Sequence, residues 1–179
     1  MKKFLKYNIP AAVTVLVLVI ALSVVGGVNR TASSLAGELS RAYSGESGAG
    51  TGRFGDISAS VGVYLDTAFA LAELTGDAGL ESALSAGQAL TASPFGDRDA
   101  FARLSDAAGA AYHALIGSTD EQDARRAEAK TLFSSLEAAK KRLADCTEYN
   151  DAAERYNRTV SSFPGRFLVF GKSEAVVFH

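Results

Sequence analysis

The chain has 179 residues, which is enough for one membrane-spanning segment and one compact domain. Its 18 basic and 20 acidic residues give a formal charge of -2, and since no basic run stands out, nucleic acid is not expected as a partner. Tryptophan is absent and alanine, leucine and short polar residues dominate, a composition that favours helices over sheets. The single cysteine, Cys146, cannot form an internal disulfide, so it does not reveal the redox compartment.

The N-terminus predicts a membrane anchor. The short basic segment 1–8 contains three lysines, and no charged residue follows Lys6 until Arg30. A membrane-spanning helix needs about 20 mostly apolar residues, and residues 9–28 supply that length. The lysines outweigh the arginines that follow the apolar run, so the positive-inside rule predicts a cytoplasmic N-terminus with the larger domain outside. We therefore expect a single-pass protein that contacts the lipid bilayer through residues 9–28.

A cleaved signal peptide is the alternative interpretation of the same segment. Ala21-Leu22-Ser23 is a passable small-residue cleavage site, and cleavage there would release a secreted domain. The apolar run exceeds the roughly 7–15 residues that are usual for a signal core. This length favours the permanent anchor.

Residues 29–165 predict an antiparallel bundle of three to five helices. A short helix is predicted after the membrane segment from the spacing of Leu35, Leu39 and Tyr43. The glycine-rich stretch 44–55 predicts a loop. Asp56 is a candidate N-cap for a second helix, which ends at Thr75-Gly76 and is apolar on most sides, including Val63, Leu65 and Phe69. We expect that helix to be buried.

The next two helices are predicted from their caps and spacing. Asp77 is a candidate N-cap for a shorter helix, and residues 93–97 predict a turn. The following helix is predicted to end at Gly117, and its apolar positions are Phe101, Leu104, Ala108, Tyr112 and Leu115.

The last helix is predicted to be the longest. Ser118 and Glu121 form a capping box that opens it, and we expect it to run without a break to Ser162. The remaining residues, 166–179, are left as a C-terminal tail, in which the runs FLVF and AVVF are candidates for extended structure.

Two Tyr-Asn pairs recur along this last helix, seven residues apart. The tyrosines belong to a core seam in steps of four and three, with one short step at Cys146; the seam consists of Leu132, Leu136, Ala139, Leu143, Cys146, Tyr149, Ala153, Tyr156, Val160 and Phe163. Asn150 and Asn157 lie on the adjacent row, at the edge of the core. A buried amide must be paired, so we expect each asparagine to bond to a facing helix, to the backbone of a loop or to the other asparagine's neighbours.

The stretch YNDAAERYNRTVSSFPG resembles the C-terminal signature of the LemA family: two Tyr-Asn pairs, a branched residue and Phe-Pro-Gly. The matching positions are Tyr149, Asn150, Tyr156, Asn157, Val160, Phe163, Pro164 and Gly165. The tail ending in Phe178 is similar to the closing segment of that family. The resemblance implies a bacterial protein with one N-terminal membrane helix and an antiparallel helical bundle. The molecular activity of that family is not established. Together with the predicted anchor and bundle, the resemblance leads us to expect an interaction or scaffold role in the cell envelope, with TPM-domain proteins or membrane peptidases as candidate partners.

No residue pattern indicates a catalytic, cofactor-binding or metal-binding site. Of the two histidines, His113 is expected at the surface beside Tyr112, and Ala110 stands where a Glu-x-x-His metal motif would need its carboxylate. No serine, threonine or cysteine lies in a nucleophile motif, and Cys146 fits a small core residue better than a reactive thiol. We therefore expect no enzymatic activity and no cofactor. The alternative function is a secreted helical domain that binds a small ligand after signal cleavage.

Overall fold

Helices dominate the structure, a computed structural model that describes residues 2–45, 57–118, 123–162, 165–169 and 172–178, with side chains from residue 13 onward. The α-helices in those residues are α1 (Lys2–Tyr43), α2 (Ile57–Thr75), α3 (Ala78–Gly87), α4 (Ala100–Ser118), α5 (Ala124–Ala144), α6 (Thr147–Ser161) and α7 (Gly165–Leu168). A 3-10 helix (Gln88–Thr91) follows α3, and β1 (Phe95–Gly96) pairs with β2 (Glu174–Ala175) in an antiparallel two-stranded sheet. The predicted all-α class and helical bundle are confirmed, but the predicted number of three to five helices is too low, since α2 to α7 follow α1 in the described residues.

Helix α1 joins two segments that the sequence predicted separately. It runs for 42 residues from Lys2 to Tyr43, so the short helix expected after residue 28 is continuous with the apolar run. The Gly26-Gly27 pair lowers helix propensity by about 1 kcal/mol per residue relative to alanine, yet the helix passes through it. The apolar part of α1 is long enough to cross a membrane, and none of it is buried in the bundle. Helix α2 is also long and apolar enough, but 39% of its apolar stretch is buried, as in the core helix of a bundle.

Helix α2 is buried on one side only. Its buried face contacts α3, α4 and α5 and consists of Ile57, Val61, Tyr64, Leu65, Ala68, Leu71 and Ala72. Val63 and Phe69 are 56% and 54% exposed, so the prediction that the apolar residues of this helix are buried all round was wrong for these two. The reason is that no described helix covers the face that carries them.

The predicted capping box at Ser118 does not open a helix. Ser118 is the last residue of α4, and its hydroxyl donates a hydrogen bond to the carbonyl of Leu115 at 3.1 Å. Helix α5 begins instead after Asp123, whose carboxylate accepts from the amide of Arg125 at 2.9 Å. Glu121, the other member of the box, lies outside the described residues.

The predicted long final helix is also wrong, because it is interrupted between α5 and α6. Asp145 ends α5, and Cys146 precedes α6 with a non-helical ψ of 59°. The Asn150 side-chain amide donates to the carbonyls of Leu143 and Ala144 at 3.3 and 3.2 Å. The last carbonyls of α5 therefore receive a side-chain partner in place of continued helix.

Other sequence predictions for the helix ends are confirmed. The carboxylate of Asp77 accepts from the amide of Leu80 at 2.8 Å, as an N-cap does. Gly76 ends α2 with a φ of 64°, a left-handed conformation that favours glycine. The predicted turn at 93–97 is only partly right, because Phe95 and Gly96 form strand β1. Asp56 and most of the glycine-rich loop, residues 46–55, lie outside the described residues.

The C-terminal segment forms part of the core. Residues 175–178 are buried, and Phe178 contacts the rings of Phe101 and Tyr149 at 4.9 and 5.6 Å. The run AVVF is non-helical and begins in β2, as expected, whereas the run FLVF begins in the short helix α7 and not in extended structure. The bundle is thus closed by the part of the chain that the sequence left as a tail.

Candidate functional site

The Tyr-Asn pairs of α6 face the C-terminal segment. Tyr149, Tyr156 and Asn157 are buried, with 1%, 1% and 3% of their surface exposed. Asn150 is half-buried at the end of α6 that is nearest α5. The predicted placement of the tyrosines in the core and of the asparagines beside them agrees with these values.

Asn157 binds both backbone groups of one residue. Its Nδ2 donates to the carbonyl oxygen of Ala175 at 2.7 Å, and its Oδ1 accepts from the Ala175 amide nitrogen at 2.6 Å. A carboxamide has one donor side and one acceptor side, so it pairs with an extended residue as a neighbouring strand would. Ala175 is itself fully buried at 0% exposure, so this pairing satisfies polar groups that have no access to water.

Asn150 connects three parts of the chain. Its Oδ1 accepts from the amide of Phe178 at 3.0 Å, while its Nδ2 donates to the two carbonyls at the end of α5. One side chain thus ends α5, lies on α6 and holds the last described residue of the C-terminal segment. Both asparagines bond to the backbone of the C-terminal segment, Asn157 at strand β2 and Asn150 at Phe178, and Asn150 also bonds to the neighbouring helix α5, which was one of the three expected solutions.

The two tyrosines bind the same segment through their hydroxyl groups. Tyr149 donates to the carbonyl of Val176 and Tyr156 to the carbonyl of Ser173, both at 3.1 Å. Burial raises the pKa of Tyr149 well above its usual range, and electrostatic repulsion from the nearby phenol group of Tyr43 raises it further. The hydroxyl therefore stays protonated and remains a donor at neutral pH.

The seven-residue repeat matches the pitch of the segment that it holds. Tyr149 and Tyr156 bind residues 176 and 173, and Asn150 and Asn157 bind residues 178 and 175. Seven residues of α-helix rise about 10.5 Å, and three residues of extended chain span about 10 Å. The helix and the extended segment therefore stay in register over both pairs, running in opposite directions. We call this arrangement of the two pairs and residues 173–178 the tail clamp.

Only part of the remaining signature lies in the described residues. Val160 is buried, whereas Phe163 and Pro164 lie outside the described residues. Gly165 is buried at the start of α7, and a Cβ atom there would stand 1.7 Å from the carbonyl oxygen of Thr159. No side chain fits at that distance, so glycine is required where α7 turns back onto α6.

A second polar group lies between α2, α4 and α5. The hydroxyl of Tyr64 is buried and lies beside Ser105, without the geometry of a full hydrogen bond. Burial outweighs the opposing effect of Ser105 and raises the pKa of Tyr64 to about 12. Lys140 donates from Nζ to Ser105 Oγ at 2.7 Å. A serine next to a lysine is one form of activated nucleophile, but Ser105 is only 8% exposed. We interpret this contact as packing between α4 and α5.

A shallow groove of about 450 Å³ runs between α1 and α6. Its polar lining includes Glu38, Glu148 and Asp151, with Arg155 as the basic member.

His113 is exposed and its ring contacts Tyr112 at 5.2 Å, as expected. In the described ranges, no three His, Cys, Asp or Glu side chains are grouped so that they could hold a metal ion.

Sequence reasoning missed the segment that the signature binds. Ala175 and Phe178 take part through their backbone amides, which have no residue-specific signal. One signal in the sequence could have indicated it. Two partly buried carboxamides on one helix need hydrogen-bond partners for both donor and acceptor, and the apolar run AVVF follows shortly after in the chain.

Comparison of the chain with protein-family models, with curated proteins and with solved structures found no match.

Proposed function

We propose that this chain is a LemA-type protein of the bacterial cell envelope, anchored in the cell membrane by residues 9–28. Its bundle is a non-enzymatic scaffold that binds another membrane or envelope protein, for which TPM-domain proteins and membrane peptidases are the first candidates. The observation that carries the proposal is the apolar run of α1, in which no described side chain from Val13 to Val28 is buried and which is continuous with the part of the helix that packs in the core.

The continuity of α1 supports a permanent anchor over a cleaved signal. Ser23, the last residue of the candidate cleavage site, lies inside the helix and its hydroxyl donates to the carbonyl of Val19 at 2.8 Å. The same helix then buries Ala32, Leu39 and Tyr43 in the bundle. An uninterrupted helix joins the membrane segment and the bundle rigidly, which suits an anchored scaffold.

The use of the signature residues supports a structural role for the repeat. The side-chain polar groups of Tyr149, Asn150, Tyr156 and Asn157 all bond to backbone atoms of the chain itself. These groups are therefore committed to closing the bundle. A partner must be bound elsewhere, and the exposed apolar side chains Val63 and Phe69 on α2 are the most favourable contacts for one.

Membrane extraction tests the anchor. The chain should stay in the membrane fraction through washes with high salt and carbonate, because burial of an apolar helix resists both. Protease added to intact spheroplasts should digest the bundle if the lysine-rich end is cytoplasmic. A soluble species that begins after Ser23 in mass spectrometry would instead establish the secreted alternative.

Photo-crosslinking in cells tests the scaffold role. A photoreactive phenylalanine at Phe69 should give one discrete adduct with an envelope protein. The matched control is the same residue at Ala138, which is exposed on α5. Equal adducts at both positions, or none at Phe69, would contradict a specific partner surface on α2.

A further inference from the structure

An exposed aromatic side chain lies at the end of the bundle nearest the apolar run of α1. Phe167, on α7, is 63% exposed, and its neighbour Arg166 is exposed as well. Helix α7 packs against α1. Lys172, shortly after α7, donates from Nζ to Ser33 Oγ at 2.7 Å. This contact places the segment around α7 just beyond Arg30, where the charge-free run of α1 ends.

The direction of α6 gives the same placement independently. At its start, Tyr149 contacts the ring of Tyr43 at the end of α1, with centroids 5.9 Å apart. Further along, Arg155 shares a groove with Glu38 of α1. Helix α6 therefore runs back along α1 toward the apolar run, and α7 follows at the end of that path. The packing reaches Val28, which is partly covered by the core.

Distances along α1 put the segment around α7 at the outer edge of the lipid headgroups. Ser33 lies five residues beyond Val28, a rise of about 7.5 Å. The hydrocarbon core of a bilayer is about 30 Å thick and the whole bilayer about 40–45 Å, which leaves a headgroup layer of about 5–8 Å on each side. With the span at residues 9–28, α7 is thus next to this layer.

The charges at this end of the bundle suit an anionic lipid surface. Residues 25–37 and 163–173 contain three basic residues, Arg30, Arg166 and Lys172, and no acidic residue, while a glutamate follows each range directly, at Glu38 and Glu174. The chain beyond Lys6 as a whole has the opposite balance, with 15 basic and 20 acidic residues. Phenylalanine beside lysine and arginine is typical of helices that lie at a membrane interface, where the apolar ring enters the boundary between headgroups and acyl chains and the cations meet phosphates.

We infer that α7 is a second membrane contact, in which Phe167 inserts among the headgroups and Arg166 and Lys172 face lipid phosphates. The inference rests on the proposed anchor, since α1 brings α7 to the bilayer. We assign lipid and not a protein to this surface because the uninterrupted helix α1 by itself brings α7 next to the bilayer. The consequence is that the bundle holds one orientation on the membrane, leaving α2 free for a protein partner.

Tryptophan fluorescence tests this contact directly, because the chain has no tryptophan of its own. Phe167→Trp in the full chain gives a single reporter, and Phe69→Trp gives a matched control of similar exposure on α2. Both variants are reconstituted in phosphatidylethanolamine–phosphatidylglycerol vesicles that contain lipid brominated near the headgroups. We expect the tryptophan at 167 to emit at shorter wavelength and to be quenched several-fold more by brominated lipid. The tryptophan at 69 should be quenched more by acrylamide in the water.

The controls separate this inference from the anchor. A carbonate wash of the same vesicles shows whether α1 holds the chain, and loss of both variants would overturn the anchor together with the inference. Retention of both, with equal quenching at 167 and 69, would overturn the inference alone. Arg166→Trp is the second reporter if Phe167→Trp alters the helical circular dichroism, and it carries the same expectations.

Discussion

The tail clamp predicts that Asn157 stabilises the bundle far more than a surface polar residue does. Asn157→Ala removes two hydrogen bonds, with lengths of 2.7 and 2.6 Å, to the backbone of Ala175. A typical hydrogen bond contributes about 0.5–1.5 kcal/mol, and each buried group left without a partner costs about 1–3 kcal/mol. Because Ala175 is fully buried, water does not replace the lost amide. We expect a loss of about 2–4 kcal/mol in the free energy of unfolding.

Urea unfolding of the chain in detergent micelles, followed by circular dichroism, measures this loss. With a denaturant slope of about 2 kcal/mol per molar, the midpoint should fall by about 1–2 M. The matched control is Arg155→Ala, on the exposed face of the same helix, which should change stability by less than about 0.5 kcal/mol. Equal midpoints for Asn157→Ala and the parent chain would refute the clamp and leave the Tyr-Asn repeat as a surface for a partner.

Two further predictions follow from the packing of the bundle. Gly165→Ala should destabilise it by about 3 kcal/mol or more, because the new Cβ would meet the carbonyl of Thr159 at 1.7 Å; Gly62→Ala, which meets nothing within 4 Å on α2, should be neutral or stabilising in the same thermal melts. Burial raises the pKa of Tyr64 to about 12 and raises that of Tyr149 too. Both values lie above the roughly 10 of an unfolded tyrosine, so the stability they confer is complete below about pH 10 and is lost as the pH rises further. The part of the tyrosinate absorbance that is lost in the Tyr64→Phe and Tyr149→Phe variants should therefore appear together with the loss of helical circular dichroism, and its appearance in a chain that stays fully helical would contradict this.

Periodicity in the sequence predicted which residues of α6 face the core, but not where the helix begins. The seam positions Tyr149, Ala153, Tyr156 and Val160 are all buried, because spacing alone determines the face of a helix on which a residue lies. The break at Cys146 coincides with the one short step of the seam. The break is accompanied by the Asn150 amide on the last carbonyls of α5. A pattern of apolar residues does not encode this contact, because it depends on a polar side chain that returns from the next helix.

Burial of α2 and the position of the C-terminal segment were beyond the sequence for a different reason. Hydrophobicity shows which side chains favour burial, but coverage depends on how many neighbours the fold supplies. Phe69 is exposed because α3, α4 and α5 pack on the opposite side of its helix. The segment at 173–178 is too short to show a periodic pattern. Its position is determined by hydrogen bonds to side chains of α6, which a strand pattern in the sequence does not indicate.

The pairing of Asn157 with Ala175 needs one donor and one acceptor on the same side chain. The Asn157→Asp variant tests this requirement, because its carboxyl group can donate only when it is protonated. Asn157→Asp keeps an acceptor for the amide of Ala175. It also places a carboxylate oxygen against the Ala175 carbonyl, which accepts a hydrogen bond from Nδ2 in the parent chain. Desolvation and this repulsion should raise the folded pKa of the new carboxyl above the roughly 4 of an unfolded aspartate. The protonated acid can donate to that carbonyl, so the stability it restores is present below about pH 4 and is lost as the pH rises through the folded pKa. Relative to Asn157→Ala at each pH, the aspartate variant should be the less stable at pH 7 and should gain steadily as the solution is acidified. A difference between the two variants that does not change with pH would mean that water reaches residue 157, and that the amide is not held between buried groups.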